Sequence, residues 1–328
     1  MKRAFVTGAS GFTGSYLCAA LLKKGYAVTA LVRPTSNVEP LKAKGITLVE
    51  GDLAMPGSLH GLVKDIDILF HIGALYRQEG VAKEMFTQVN VHGTRALLDE
   101  AARAGVKRFV HCSTVGVQGE IKHPPASETD PYDPGDHYQE SKMQGEKLAL
   151  SYFADKKLDV TVVRPVGIYG PGDTRFLKLF RHIYQGNFRM IGAGKALYHL
   201  TYVEDLADGI ILAAESPVAG GRIYTLAGPQ YLPLEELVHL IADIFDKKVS
   251  KNHIPLAPVY VAACLCELIC RPLRIEPPLY RRRLDFFTKD RAFDITRARQ
   301  ELGYAPQVSL KDGLGRTARW YLDQGWLD

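Results

Sequence analysis

Short apolar runs alternate with longer amphipathic stretches along the first half of the chain. Ala4–Thr7, Ala27–Val32, Thr47–Glu50, Ile66–His71, Phe109–Cys112 and Val160–Arg164 are compact apolar runs of strand length. Between them, Ser15–Lys24, Met85–Ala104 and Tyr138–Phe153 carry helical periodicity, the first stopping at Gly25 and the second at Gly105. Strands that alternate with helices imply a parallel sheet covered by helices on both faces. Right-handed crossovers then give a doubly wound α/β sheet whose ligand sits at the carboxyl ends of the strands.

The rhythm changes after Pro165. Residues 167–173 read as a turn-rich loop, and Arg175–Gln185, Val203–Ala214, Pro233–Phe245, Ile295–Leu302 and Leu310–Gln324 read as helices. This half lacks a complete sheet of its own. We therefore divide the chain into a nucleotide-binding part over residues 1–165, its sheet completed by a segment near 200–230, and a smaller substrate-binding lobe over 166–328.

Composition narrows the function classes. The 328 residues are 46% hydrophobic and 23% charged, with a net charge of +5, ordinary values for a globular protein. Basic residues are scattered apart from Arg281–Arg283, which argues against nucleic-acid binding. Met1-Lys-Arg runs directly into an apolar strand, without the h-region or cleavage site of a secretory signal. Cys18, Cys112, Cys264, Cys266 and Cys270 fit neither a disulfide framework nor a common zinc spacing. The expectation is buried, reduced thiols, no metal, and a cytoplasmic or peripherally membrane-associated protein.

The chemistry enters with a glycine loop, Gly8-Ala9-Ser10-Gly11-Phe12-Thr13-Gly14, set between the first strand and the first helix. Missing side chains let the backbone approach a pyrophosphate, whose charge the helix N-terminus favours. The spacing G-x-x-G-x-x-G differs from the better-known G-x-G-x-x-G fingerprint, and a plain tight turn is the competing reading. The second strand ends in Arg33, Pro34, Thr35 and Ser36, with no acid before Glu39. Arg33 and Ser36 suit a 2′-phosphate, so NADP is favoured over NAD; a solvated surface arginine is the alternative. Asp52, beside Leu53, is placed to meet an adenine edge.

Tyr138 and Lys142 lie four residues apart on a predicted helix and so share a face. An ammonium beside a phenol favours the phenolate, which suits the phenol to proton transfer at an alcohol or carbonyl oxygen. Ser113 and Thr114 follow the fifth strand, where a hydroxyl can hold that same oxygen. Each motif alone is weak, because Tyr-x-x-x-Lys arises often by chance and a Ser-Thr pair is commonly a turn. Their order along these elements is what makes them informative.

The chain resembles the extended short-chain dehydrogenase/reductase family along most of its length. The resemblance rests on Thr7–Gly14, Gly51-Asp52-Leu53, Phe70–Ala74, Asn90–Thr94, Cys112-Ser113-Thr114, Tyr138–Lys142 and Arg164-Pro165. It implies a Rossmann-type fold and a nicotinamide cofactor. It further implies Tyr138 as acid/base, Lys142 tuning it and holding the nicotinamide ribose, and Thr114, ahead of Ser113, polarising the substrate. Asn90 is implied to be structural or part of a water relay, and Ala74 and Pro165 to line the nicotinamide. Relatives of this kind often dimerise through helices equivalent to 85–104 and 138–153.

The family divides broadly into nucleotide-sugar enzymes and enzymes of lipophilic alcohols or ketones. Gly167 stands where sugar-nucleotide members usually carry Asn, and Tyr198-His199-Leu200 where they carry Arg-Asp-Phe. Arg175, Lys178, Arg181 or Lys195 remain as substitute phosphate ligands. Arg164–Asp173 looks closer to the 3β-hydroxysteroid and sterol dehydrogenase branch. Candidate substrate contacts are Tyr76, Gly167, Tyr169, Arg175, Tyr198 and His199. Ile254–Cys270 is apolar but too short and interrupted to span a bilayer, and Arg271, Arg274 and Arg281–Arg283 follow it. It reads either as an interfacial helix at a membrane or as a helix buried in the small lobe. The expected activity is hydride transfer at a secondary alcohol or ketone of apolar type. A nucleotide-sugar 4-epimerase or dehydratase with tightly held NAD is the rival, and a redox-inactive NAD(P)H sensor the reading from another class.

Overall fold

The six apolar runs of the first half form strands β1 (Arg3–Thr7), β2 (Ala27–Val32), β3 (Thr47–Glu50), β4 (Ile68–His71), β5 (Arg108–Cys112) and β6 (Val160–Pro165); β7 (Gly167–Tyr169), β8 (Leu197–Tyr202), β9 (Ile223–Leu226) and β10 (Tyr231–Pro233) follow. The helices are α1 (Phe12–Lys23), α2 (Glu39–Lys42), α3 (Lys83–Thr87), α4 (Gly93–Arg103), α5 (His137–Ala154), α6 (Leu177–Tyr184), α7 (Val203–Glu215), α8 (Leu234–Ile244), α9 (Leu256–Cys270), α10 (Arg281–Thr288), α11 (Thr296–Leu302) and α12 (Leu310–Asp323). The computed structural model describes residues 1–76, 80–250, 252–270, 272, 275 and 277–328.

Seven strands pair in parallel in the order β3-β2-β1-β4-β5-β6-β9. Every residue of β4, β5 and β6 is buried, because a parallel sheet is covered on both faces. One apolar layer joins the sheet to α1, α7 and α11 through Leu17, Leu21, Leu206, Ile210 and Ala298. The opposite layer joins it to α4 and α5 through Leu97, Leu98, Ala101 and Ala149. This is the doubly wound, Rossmann-like α/β architecture, with β9 at one edge of the sheet.

A separate apolar cluster holds Phe180, Ile183, Tyr198, Leu237, Ile241, Leu314 and Tyr321 from α6, β8, α8 and α12. A small sheet in the order β10-β8-β7 runs through this part, with Gly167 opposite Leu200 and Tyr169 opposite Tyr202. Residues 167–169 were expected in a loop. Three residues cannot declare a strand by local pattern, and their partner lies about thirty positions away.

Two further expectations need correction. Residues 85–104 are not one regular helix: α3 and α4 are joined by a single π turn, Gln88–His92. Gly93 sits against the Leu53 carbonyl, where a Cβ would come within 2.5 Å. The extra residue in the turn reconciles that contact with the inward aim of Asn90. Second, not all five thiols are buried, because α9 is exposed. Its only charge, Glu267, points inward, while Val261, Leu265, Leu268 and Ile269 are exposed. Cys264, Cys266 and Cys270 are therefore half-buried rather than buried, whereas Cys18 and Cys112 are buried. Arg271 and Arg274 lie outside the described residues. Among the described residues no helix is long and apolar enough to cross a membrane.

A buried ion pair ties α5 to β6. Arg164 donates from Nη2 to Glu146 Oε1 at 2.6 Å and from Nε to Oε2 at 3.1 Å, with both side chains almost wholly buried. Tyr132 donates to the same carboxylate at 2.7 Å and lies under the guanidinium, whose Nη1 reaches the Glu128 carbonyl at 3.1 Å. Removing one partner leaves a buried charge uncompensated. Glu146→Ala is expected to lower unfolding stability by about 3–5 kcal/mol, read as a lower denaturant midpoint with an unchanged slope.

Candidate active site

The glycine loop closes tightly at the carboxyl end of β1. Gly8 has φ +70°, a conformation L-side chains avoid. A Cβ on Gly8 would lie 2.7 Å from the Gly73 nitrogen, and one on Gly14 would lie 2.0 Å from the Gly8 carbonyl oxygen. The loops after β1 and β4 thus meet backbone to backbone where the strand order reverses, the place at which doubly wound sheets bind ligands. Gly11 begins α1 with no side-chain cap and no acid in the first turn. Its first N–H groups are left for an anion, so the loop fits a dinucleotide pyrophosphate. Ser10 and Gly11 are exposed on it and Thr13 lines the cleft. Phe12 packs edge-on against Tyr16 and beneath the Arg175 guanidinium.

At the end of β2, the Arg33 N–H donates to Ser36 Oγ at 3.1 Å. Among the described residues the Arg33 guanidinium has no ion-pair partner. Asp52 accepts from the Ala54 N–H at 2.9 Å. Leu53 is core: its side chain packs between the Gly73 turn and Gly93.

The hydroxyl, phenol and ammonium residues converge across the sheet's edge. Lys142 is 2% exposed and donates from Nζ to the Cys112 carbonyl at 2.6 Å; burial lowers its pKa from the usual lysine range. Thr114 caps the turn after β5 by accepting from the Gly116 N–H at 3.1 Å, which leaves its hydroxyl proton to donate. Ser113 Oγ is buried without a partner among the described residues. The Tyr76 ring stands edge-on to Tyr138, centroids 5.0 Å apart. Ala74, Ser113, Thr114, Tyr138, Lys142 and Pro165 all line one cleft of about 1630 Å³. That exceeds the roughly 300–1,000 Å³ of a single small-molecule pocket. Asp136 caps α5 just before Tyr138, its Oδ1 accepting from the Gln139 N–H at 2.7 Å.

Asn90 is part of the scaffold. Its carboxamide donates to the Leu75 carbonyl at 3.0 Å and to Ser141 Oγ at 2.9 Å, and accepts from the Leu75 N–H at 2.8 Å. It holds the Tyr76 loop against the helix of Tyr138. Asn90's own carbonyl accepts from Thr94 Oγ1 at 2.7 Å. The Thr94 proton being used, His71 Nε2 must donate to Thr94 (2.9 Å) and His71 Nδ1 must accept from Thr7 (2.8 Å). Thr7 in turn accepts from the Gly73 N–H at 2.9 Å.

The substrate-side candidates separate. Gly167 lines the cleft, and a Cβ there would meet Leu200 at 2.8 Å. Arg175 lines it too, held by Asp173 at 2.6 Å and the Ile168 carbonyl at 2.7 Å. Tyr169 does not: it is buried against Tyr202 and Gly313 in the second cluster. Tyr198 borders the cleft with its hydroxyl spent on the Phe286 carbonyl (2.6 Å) and Arg291 (2.8 Å). His199 donates from Nε2 to the Gly228 carbonyl at 2.9 Å and accepts from the Phe293 N–H at 3.4 Å, a neutral, internally satisfied ring. Arg181 is turned to the Trp326 carbonyl.

Residues 4–227 match the model of the NAD dependent epimerase/dehydratase family. The chain belongs to that family. As a family member it is an enzyme, an NAD-dependent oxidoreductase or epimerase of the extended short-chain dehydrogenase/reductase type. It is 32% identical to 2-alkyl-3-oxoalkanoate reductase from Stenotrophomonas maltophilia, over 95% of this chain and 97% of that protein. It is 30% identical to 3-beta-hydroxysteroid dehydrogenase from Mycolicibacterium neoaurum, over 98% and 92%. The crystal structure of a dTDP-glucose 4,6-dehydratase double mutant from Streptomyces venezuelae, DesIV, with NAD and DAU bound, superposes with a TM-score of 0.79 at 27% identity. That superposition covers 99% of this chain and 100% of that one.

In this epimerase/dehydratase family member the apolar part of the cleft lining, where Phe176, Phe188, Ile191, Phe286 and Phe287 gather, carries no local signal in the sequence. Phe286 and Phe287 sit beside an arginine run, and only the fold brings them over β8. His71 and His111 carry none either; they are neighbours on β4 and β5 with rings 5.4 Å apart. Burial lowers the His71 pKa to about 3 and holds His111 well below the ordinary imidazole range. Both stay neutral in the fold, while the unfolded chain takes up their protons below about pH 6.5. Stability is therefore complete above that pH and declines as pH falls toward 3, by up to about 1.4 kcal/mol per pH unit for each such histidine. Urea midpoints measured from about pH 7 down to about pH 5 should fall, and His111→Leu should flatten the slope by close to one proton.

Proposed function

We propose that the chain transfers hydride between a nicotinamide cofactor and the carbon of a secondary alcohol or ketone on an apolar substrate of sterol, steroid or related lipid type. The observation carrying this reading is the group of apolar side chains, Phe176, Leu179, Phe188, Ile191, Phe286 and Phe287, in the lining of the cleft that Tyr138 also lines. Tyr198, at the position where a sugar-nucleotide enzyme usually carries Arg, has its hydroxyl taken up by the Phe286 carbonyl and Arg291. The reductase and steroid dehydrogenase relatives support the same direction.

A bound nicotinamide supplies or accepts the hydride. The protein residues manage the oxygen. Thr114 donates its free proton to that oxygen, Tyr138 gives or takes the proton of the alcohol, and Lys142 favours the phenolate by its charge. Gly8, Gly11, Gly14 and the start of α1 would hold the pyrophosphate, with Ala74 and Pro165 beside the ring. Arg33 and Ser36 favour NADP over NAD. Residues 1–165 with β9 form the nucleotide-binding part, and the second cluster the substrate lobe. A homodimer through the helices at 85–104 and 138–153 belongs to the same reading; Met85 and Phe153 remain exposed on them. A lipophilic substrate also brings the 254–283 stretch into contact with a membrane surface. The second reading, a nucleotide-sugar 4-epimerase or dehydratase with tightly held NAD, draws on Arg175 and Lys178 in the cleft and on the likeness to DesIV.

Tyr138→Phe should reduce kcat by about 10²–10⁴ on any active ketone, with substrate binding retained; unchanged turnover removes the assigned acid/base. Arg33→Ala should weaken NADPH binding by roughly tenfold more than NADH binding, measured by fluorescence titration. Stoichiometric NAD released on denaturation, or tight UDP binding, would favour the epimerase reading instead.

A further inference from the structure

Helix α9 is inside out. Its single charged residue, Glu267, is 5% exposed. The Glu267 carboxylate is fixed inward by three hydrogen bonds from Arg281, from the backbone N–H at 2.7 Å, Nε at 3.2 Å and Nη2 at 3.0 Å. Its outward side carries Val261 (55% exposed), Leu265 (53%), Leu268 (70%) and Ile269 (62%), and Ile275 beyond its end is 57% exposed. Positions 261, 265, 268 and 269 fall on one helical face. A helix exposed to water normally shows the reverse arrangement, so this face is built for an apolar environment.

We infer that the outward face of α9 docks on an anionic lipid surface and feeds the cleft from it. This rests on the lipophilic-substrate reading only for the identity of what passes; the docking surface stands on its own geometry. The fifteen residues of α9 are too few to span a bilayer, but suffice to lie in its interface. Charge selects the lipid. Arg281, Arg282 and Arg283, all exposed, begin α10 directly beside α9; they set three positive charges against the carboxylates of Glu267 and Asp136, which pair with the first two, and no acidic side chain points outward from α9. Area decides against a second copy of the chain. One helix face of four or five side chains presents a few hundred Å², short of the roughly 800 Å² each partner of a stable interface buries. The inner side of the same segment supplies the connection, because Ile254, Leu256 and Tyr260 line the cleft. Phe286 and Phe287 line the same cleft, so its apolar residues extend from this segment to α10.

The test is sedimentation of the full chain with vesicles of phosphatidylcholine alone and of phosphatidylcholine with about one-third phosphatidylserine. The chain should sediment with the anionic vesicles, and less so as salt rises. The double variant Leu265→Glu, Leu268→Glu should lose roughly a hundredfold in vesicle partition. Both residues lie outside the cleft lining, so turnover of a short water-soluble ketone should be unchanged and show that the variant is folded. If the unaltered chain stays in the supernatant with both vesicle types, the inference falls. It falls equally if the variant binds vesicles as before but changes from dimer to monomer, since the face would then cover a second copy. Vesicle binding lost in the variant, with no ketone turned over by either protein, overturns the lipophilic-substrate reading and leaves the docking surface in place.

Discussion

One directional chain of hydrogen bonds sets the geometry on which the cleft depends. It runs from the Gly73 N–H through the Thr7 hydroxyl, the His71 imidazole and the Thr94 hydroxyl to the Asn90 carbonyl. Each member has its donor and acceptor fixed by the next, so the buried ring has one tautomer and no spare proton. The chain joins the ends of β1 and β4, where the glycine loop turns, to the π turn ahead of α4. From there the Asn90 carboxamide reaches the Leu75 backbone and Ser141 on α5. Nucleotide loop, Tyr76 loop and the Tyr138 helix are thus held by one buried polar network, the kind that specifies a unique arrangement when fully satisfied.

A second constraint stands one turn further along α5. Tyr138, Lys142 and Glu146 follow at four-residue intervals and share a face. The phenol stands at the cleft, the ammonium is buried beneath it, and the carboxylate is neutralised by Arg164. Burial alone would drive Lys142 toward its neutral form, whereas the charge of Glu146 opposes that drift. Arg164 precedes Pro165 in the cleft wall, so the residue that balances Glu146 also fixes the wall's position.

Much of this was legible in the amino-acid sequence, for definite reasons. The strands of the large sheet are continuous apolar runs separated by helices, a pattern with few alternatives. Tyr138 and Lys142 lie on α5 and Thr114 in the turn directly after β5, so the order of the elements fixes their meeting point. What stayed hidden depends on distant partners. β7 is three residues long and exists through its pairing with β8. The tautomer of His71 needs Thr7 and Thr94 together. Tyr169 and His199 looked available because sequence cannot show which polar groups are already satisfied inside the fold. The apolar run of α9 was plain in sequence, but whether it faced the core or the solvent was not.

The ion pair between Arg282 and Asp136 joins two helices at the cleft. Asp136 does two things at once: one carboxylate oxygen caps the first turn of α5 and the other receives a guanidinium from the first turn of α10. The helix that brings Tyr138 to the cleft and the helix that carries Phe286 to its far wall are therefore fastened at a single side chain. A change at Asp136 would therefore act at once on the cap of α5, two residues before Tyr138, and on the anchor of α10.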